Sequence, residues 1–153
     1  MVLTRLTIDL YFKPSVTSET LRKLIQAPFK IHCERSDKGI TLISIEHPTE
    51  IGTDNINTES YNHWYVDFIK TNYNVIKQCG LEEINIFIDV FFHGQCNFEI
   101  FNNKSLSELS KYNVSLPISV YELPYKELKD MLIYYGYSSD EIQEIFQYEG
   151  VEL

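Results

Sequence analysis

Histidines, cysteines and a lone in-strand acid are where metal, nucleophilic or acid–base chemistry would be sought in this chain. His32, His47, His63 and His93 are scattered. Only His63 and Asp67 have the i, i+4 spacing that sets two ligands on one helical face, and two ligands do not complete a metal site. That pair reads as a solvated helix start. His93, next to Gly94, reads as a turn residue before a general base. There is no Ser-His-Asp order, no G-x-S-x-G and no glycine-rich phosphate loop, and the chain has only six glycines. Cys33, Cys79 and Cys96 are odd in number and form no C-x-x-C, so neither a disulfide framework nor a zinc knuckle follows. Each lies in an apolar stretch, where a reduced thiol packs as a small hydrophobe, and reduced thiols point to the cytoplasm. Asp89 is the sole charge between Ile84 and Phe92, and it needs a partner or solvent. Strand alternation sets Asn85, Phe87, Asp89 and Phe91 on one face, and Ile84, Ile86, Ile88, Val90 and Phe92 on the other, so Asp89 is expected on the wetter side. No catalytic residue is assigned, no metal or cofactor is expected, and the chain is not read as an enzyme.

Charge says more than any motif. Twenty-two acids stand against 13 Lys and Arg, a net charge of −9, which repels phosphate backbones and anionic membranes and favours basic partners. The imbalance is concentrated: residues 122–153 hold eight acids and two bases, and so carry −6. With Tyr121 counted, the same end holds six of the eleven tyrosines. Tyrosine anchors interfaces, and acid around it steers a basic partner. The candidate partner-binding residues are therefore Glu122, Tyr125, Asp130, Tyr134, Tyr135, Tyr137, Asp140, Glu141, Glu144 and Tyr148.

The elements that must position these residues follow from periodicity. Leu6, Ile8, Leu10 and Phe12 alternate as a strand that Pro14 ends, and Thr17 or Ser18 caps a short helix carrying Leu21, Leu24 and Ile25. Residues 29–34 and 40–46 read as a hairpin. Residues 47–62 lack apolar periodicity and read as a long surface loop. Tyr65, Phe68, Ile69, Ile76 and Cys79 then have helical spacing, up to Gly80. Residues 84–92 are nearly all apolar, which fits a central strand. His93-Gly94-Gln95 reads as a turn into a return strand of Cys96, Phe98 and Ile100, and Ser105-x-x-Glu108 as a capping box for a helix with Leu106 and Leu109. Val114, Leu116, Ile118 and Val120 alternate again, and Pro117 makes that strand an edge or a bulge. Pro124 opens a helix with Leu128, Met131 and Leu132 that stops at Gly136. Ser138-x-x-Glu141 caps another, with Ile142, Ile145 and Phe146, ending at Gly150. No apolar run is long enough for a membrane helix, and the first residues alternate like a strand instead of showing the zones of a signal peptide. The expected fold is α+β, a single domain over residues 1–153 with a mostly antiparallel sheet and helices chiefly on one face.

At Gly94-Gln-Cys-Asn-Phe-Glu-Ile-Phe-Asn-Asn-Lys-Ser-Leu-Ser-Glu-Leu-Ser-Lys-Tyr-Asn-Val-Ser-Leu-Pro-Ile-Ser-Val-Tyr121 the chain resembles the C-terminal half of the bacterial family catalogued as domain of unknown function 4279. The features shared are a short helix with Leu106 and Leu109, then a strand ending in Ser119, Val120 and Tyr121. Residues 1–122 correspond to the family-like core, and residues 123–153 are an acidic helical extension. The resemblance implies a small cytoplasmic protein akin to toxin-neutralising immunity proteins. The expected function is thus binding of a cognate toxin domain, basic and nuclease-like, by a monomer or weak dimer. A small-ligand or regulatory domain, with a pocket between the sheet and residues 47–62, is the alternative.

Overall fold

Val2, Leu6, Ile8, Leu10 and Phe12 are buried on one side of a strand whose other side carries Leu3, Arg5, Thr7, Asp9 and Tyr11. In the computed structural model, which describes residues 1–13, 16–53 and 58–148, this strand, β1 (Val2–Phe12), is the middle of a mixed sheet. After it come α1 (Ser18–Leu24), β2 (Lys30–Asp37), β3 (Ile40–Glu46), β4 (Gly52–Thr53), α2 (Thr58–Gln78), β5 (Leu81–Phe92), α3 (Asn103–Leu109) and a 3-10 turn (Ser110–Tyr112). β6 (Ile118–Glu122), α4 (Tyr125–Tyr134) and α5 (Ser139–Tyr148) complete it. The strand order is β2-β3-β1-β5-β6, with β4 also beside β1, and every pairing is antiparallel except β5 with β6. This is the α+β fold with a mostly antiparallel sheet that the patterning implies.

Both faces of the sheet are used. The even-numbered side chains of β1 and β5 join Ile43 and Ile45 of β3 against Leu21 of α1, Tyr65 and Ile69 of α2 and Leu109 of α3 in the larger core. On the opposite face, at one end, Met1, Leu3 and Ile51 pack with Leu128 and Leu132 of α4 and Ile142, Ile145 and Phe146 of α5. Three helices, including the longest, thus lie on the first face, and the C-terminal pair lies on the second. Pro14 and Gly150 lie outside the described residues.

Four local expectations are corrected. No strand forms at residues 93–102, because both edges of β5 are taken, by β1 and by β6, so the chain crosses over through α3 and returns parallel. Asn102, not Ser105, caps α3: its side chain accepts from Ser105 N at 2.9 Å, while Glu108 is drawn to Lys111 and Tyr112. The long loop is cut by β4, where Ile51, Gly52 and Thr53 are buried, and α2 begins at Thr58. β5 is an interior strand, but β1 holds the centre. The Pro117 expectation holds: β6 is an edge strand, and it starts one residue after the proline.

Candidate interaction surface

α4 starts where Pro124 supplies the turn into it, and it ends at Gly136, whose φ of 86° lets Tyr137 N reach Leu132 O at 3.1 Å. α5 starts at the expected capping box: Ser138 N donates to Glu141 Oε2 at 2.7 Å, and Glu141 N donates to Ser138 Oγ at 3.3 Å. The Ser138 hydroxyl also donates to Glu141 Oε2, at 2.7 Å, and this bond together with that from Ser138 N holds the Glu141 carboxyl below its usual range. Both helices turn their leucine, isoleucine and phenylalanine stripe to the sheet, which leaves the acids outside. Glu122, Glu127, Asp130, Asp140, Glu141 and Glu144 are all exposed, and among the described residues none of them forms an ion pair.

The tyrosines divide into two groups. Tyr125, Tyr135 and Tyr137 are half-buried and pack against the smaller core. Tyr137 Oη donates to Ile51 O at 3.0 Å, Tyr125 sits 4.1 Å from the His93 ring centre, and burial raises the Tyr135 hydroxyl above its ordinary range. Tyr134 and Tyr148 are 76% and 74% exposed. By helical spacing Glu127, Asp130 and Tyr134 share one stripe of α4, and Glu141, Glu144 and Tyr148 share one of α5. Ile133, missed from sequence, is 54% exposed beside Tyr134. An outward residue on an amphipathic helix can be recognised from spacing only once the inward stripe is known, and Ile133 directly follows Leu132 in the sequence.

Of the cations near this surface, Lys126 and Lys129 lie on α4 itself, Lys30 Nζ stands 5.9 and 5.8 Å from the ring centres of Tyr134 and Tyr135, and Arg5 and Lys30 are each held by an acid of the sheet. Asp89 shares a face with Asn85, Phe87 and Phe91 as expected, but it is buried there instead of facing solvent, and Arg5 Nε and Nη2 donate to its Oδ2 at 3.1 and 2.6 Å, so the in-strand acid has a structural partner. Lys30 Nζ lies 2.9 Å from Oε1 of buried Glu46, with His32 Nδ1 at 3.6 Å from its other oxygen. His63 Nε2 and Asp67 Oδ2 are 3.1 Å apart on the solvent side of α2, and among the described residues no three His, Cys, Asp or Glu are grouped to hold a metal ion. This pair borders a groove of about 570 Å³ between α2 and residues 99–108, whose walls also carry Glu59, Glu99, Glu108, Lys70 and Lys104. No helix among the described residues is long and apolar enough to cross a membrane.

Comparison of the chain with protein-family models, with curated proteins and with solved structures returned no match. The resemblance carried by residues 94–121 therefore rests on those residues alone.

Proposed function

We propose that this is a non-catalytic binding protein of the immunity type, which holds a basic toxin domain against α4 and α5 in the cytoplasm and blocks its working surface. The observation that carries the reading is the set of six exposed acids without ion pairs, flanking exposed Tyr134 and Tyr148. Unpaired like charges on one surface repel each other, and a cationic partner turns that repulsion into attraction. The two exposed tyrosines supply apolar area with a polar tip, as interface anchors do. Binding here needs no bond-making step. The groove beside α2 fits a small-ligand role less well, since ligand pockets are mostly apolar and its walls are lined with charges of both signs.

The test is association kinetics with the product of the neighbouring open reading frame. Rim charges act chiefly on association rate, so a variant with Asp130→Asn, Asp140→Asn, Glu141→Gln and Glu144→Gln is expected to bind more slowly, with a flatter salt dependence. Glutamine preserves the capping box, and the inward stripe is untouched, so the variant should fold. Tyr134→Ala should act on dissociation instead. An unchanged rate and salt slope would place the binding surface elsewhere.

A further inference from the structure

The strand path β2-β3-β1-β5-β6 ends in two outer edges, β2 and β6, and they are built differently. β2 carries Lys30, His32, Glu34, Arg35 and Asp37, and its register with β3 slips between Ile31 and Cys33. Charges and a bulge are the usual means of keeping an edge from pairing with another chain. β6 has neither device along its first four residues, Ile118, Ser119, Val120 and Tyr121, and it pairs in even register with β5 from Ile88↔Ile118 to Phe92↔Glu122. Ile118 is 54% exposed and Val120 53%, so this edge is apolar and open.

The placement of Pro117 matters more than its presence. Ser115 N donates to Ile84 O, Ser115 O and Pro117 O accept from Ile86 N and Ile88 N, and Leu123 N donates to Phe92 O. The odd-numbered residues thus turn their backbone groups toward β5. Strand alternation turns the N–H and C=O of Ile118, Val120 and Glu122 the other way, where the sheet has no further strand among the described residues. A proline guarding the edge would stand at an even position. Pro117 stands at an odd one, so it costs a rung to β5 and leaves the outer row of donors complete.

We propose that β6 takes up an extended, basic segment of a partner protein as an added strand, with β-branched residues alternating along it. This rests on the basic partner proposed above and names how it is held. Charge selects the occupant. Glu122 ends the free row, and the chain runs from it into α4, where Glu127 and Asp130 are exposed. A second copy of a chain with net charge −9 would bring the same acids to this edge, whereas Lys or Arg opposite Glu122 would be attracted to it.

The experiment pans a display library of random nonapeptides against the full chain, then measures amide exchange of the chain with an enriched peptide bound. Enriched sequences are expected to alternate Lys or Arg with Val, Ile or Thr, and the peptide should slow exchange at Ile118, Val120 and Glu122. Val120→Pro deletes an outward donor and no rung to β5, and should weaken binding about tenfold, the effect of losing roughly one hydrogen bond and its neighbouring contact. Val120→Lys, a charged edge residue, should do the same and decides the matter if the proline variant unfolds. Peptides that protect only α4 and α5 and ignore both variants would overturn the added strand while leaving the acidic surface standing. Enriched peptides without basic residues that still protect β6 would overturn the basic partner instead. Protection of the same three amides on raising protein concentration without peptide would make the occupant a second copy, and no enrichment at all would overturn the proposal.

Discussion

At the level of single residues, the most constrained place is Leu6, where β1 has lost its neighbour. β3 pairs with β1 at residues 8–12 and β4 at residues 3–4, so the backbone groups of Leu6 face a gap that the chain leaves at His47. Two tyrosines from α2 fill it. Tyr61 Oη accepts from Leu6 N at 3.0 Å, and Tyr65 Oη donates to Leu6 O at 2.6 Å and accepts from His47 N at 3.0 Å. Because the Tyr65 proton is used on Leu6 O, Tyr61 is the donor across the 3.1 Å between the hydroxyls. Burial raises both phenols well above their ordinary range. A stranded buried group costs about 1–3 kcal/mol. Tyr65→Phe strands two backbone groups and Tyr61→Phe strands one, so urea unfolding should show the larger loss for Tyr65→Phe. Next to them, His47 Nδ1 accepts from Glu50 N at 3.0 Å and from Thr49 N at 3.3 Å, which only an unprotonated nitrogen can do. Burial lowers its pKa below the usual 6.5. The contribution of His47 is therefore complete above 6.5 and is lost as the pH falls from there through the lowered folded value. In His47→Asn the amide oxygen can accept the same bonds without titrating, so its stability should fall less between neutral and mildly acid pH, as followed by thermal unfolding.

At the level of elements, what could be read from sequence is what local spacing decides. The Thr17 cap, the Ser138 and Glu141 box, the Gly136 stop and the face assignment along residues 84–92 all depend on neighbours within about four positions, and all are observed. Cys96, Phe98 and Ile100 have the alternation of a strand but form none, since pairing depends on which edge of β5 is free, and alternation carries no information on that. Thr53 and Gly52 are too short a strand to leave a period, and Gly52 is set by tertiary contact: a Cβ there would run into Thr4 Oγ1 and come within 2.8 Å of the Tyr61 ring. The acids of α4 and α5 were legible as charge, but which tyrosines stay outside was not, because Tyr134 and Tyr135 are adjacent and differ only in the side of the helix they occupy. The sheet order gives a sharper expectation for amide exchange. Residues 86–90 lie between two strands and should exchange more slowly than β6. Within β6, Ser119 and Tyr121, which face β5, should exchange more slowly than Ile118 and Val120. Equal rates at all four would contradict the outward row on which the added strand depends.

At the level of the whole molecule, the two cores share the strands of one sheet, β1 above all, while β5 lines the larger core and packs Phe91 against the smaller. β1 puts Val2, Leu6 and Ile8 into the larger core and Leu3 into the smaller, and Met1 before it joins Leu3 there, so losing the smaller core unsettles the start of the central strand. Ile51 extends the connection, because it is buried in the smaller core next to β4, which pairs with β1, and it accepts the Tyr137 bond through its carbonyl. Residues 123–148 are thus packed on the strand that also carries the larger core. The single tryptophan, Trp64, reports from the far side of the sheet, where it packs with Tyr65 and Phe68 of α2 against the larger core. Leu132 is fully buried between α4 and the smaller core, and a buried Leu→Ala change costs about 2–5 kcal/mol through lost transfer energy and the cavity left behind. If the cores unfold together, Leu132→Ala should move the midpoint of the Trp64 fluorescence transition by the same amount as the midpoint read by NMR from the backbone amides of α4 and α5. If the helical pair were an independent appendage, the α4 and α5 amides would shift and the Trp64 transition would stay where it is. The shared β1 requires the first outcome, since the larger core cannot keep Val2 and Leu6 in register with β5 once Met1 and Leu3 have lost the surface that holds them.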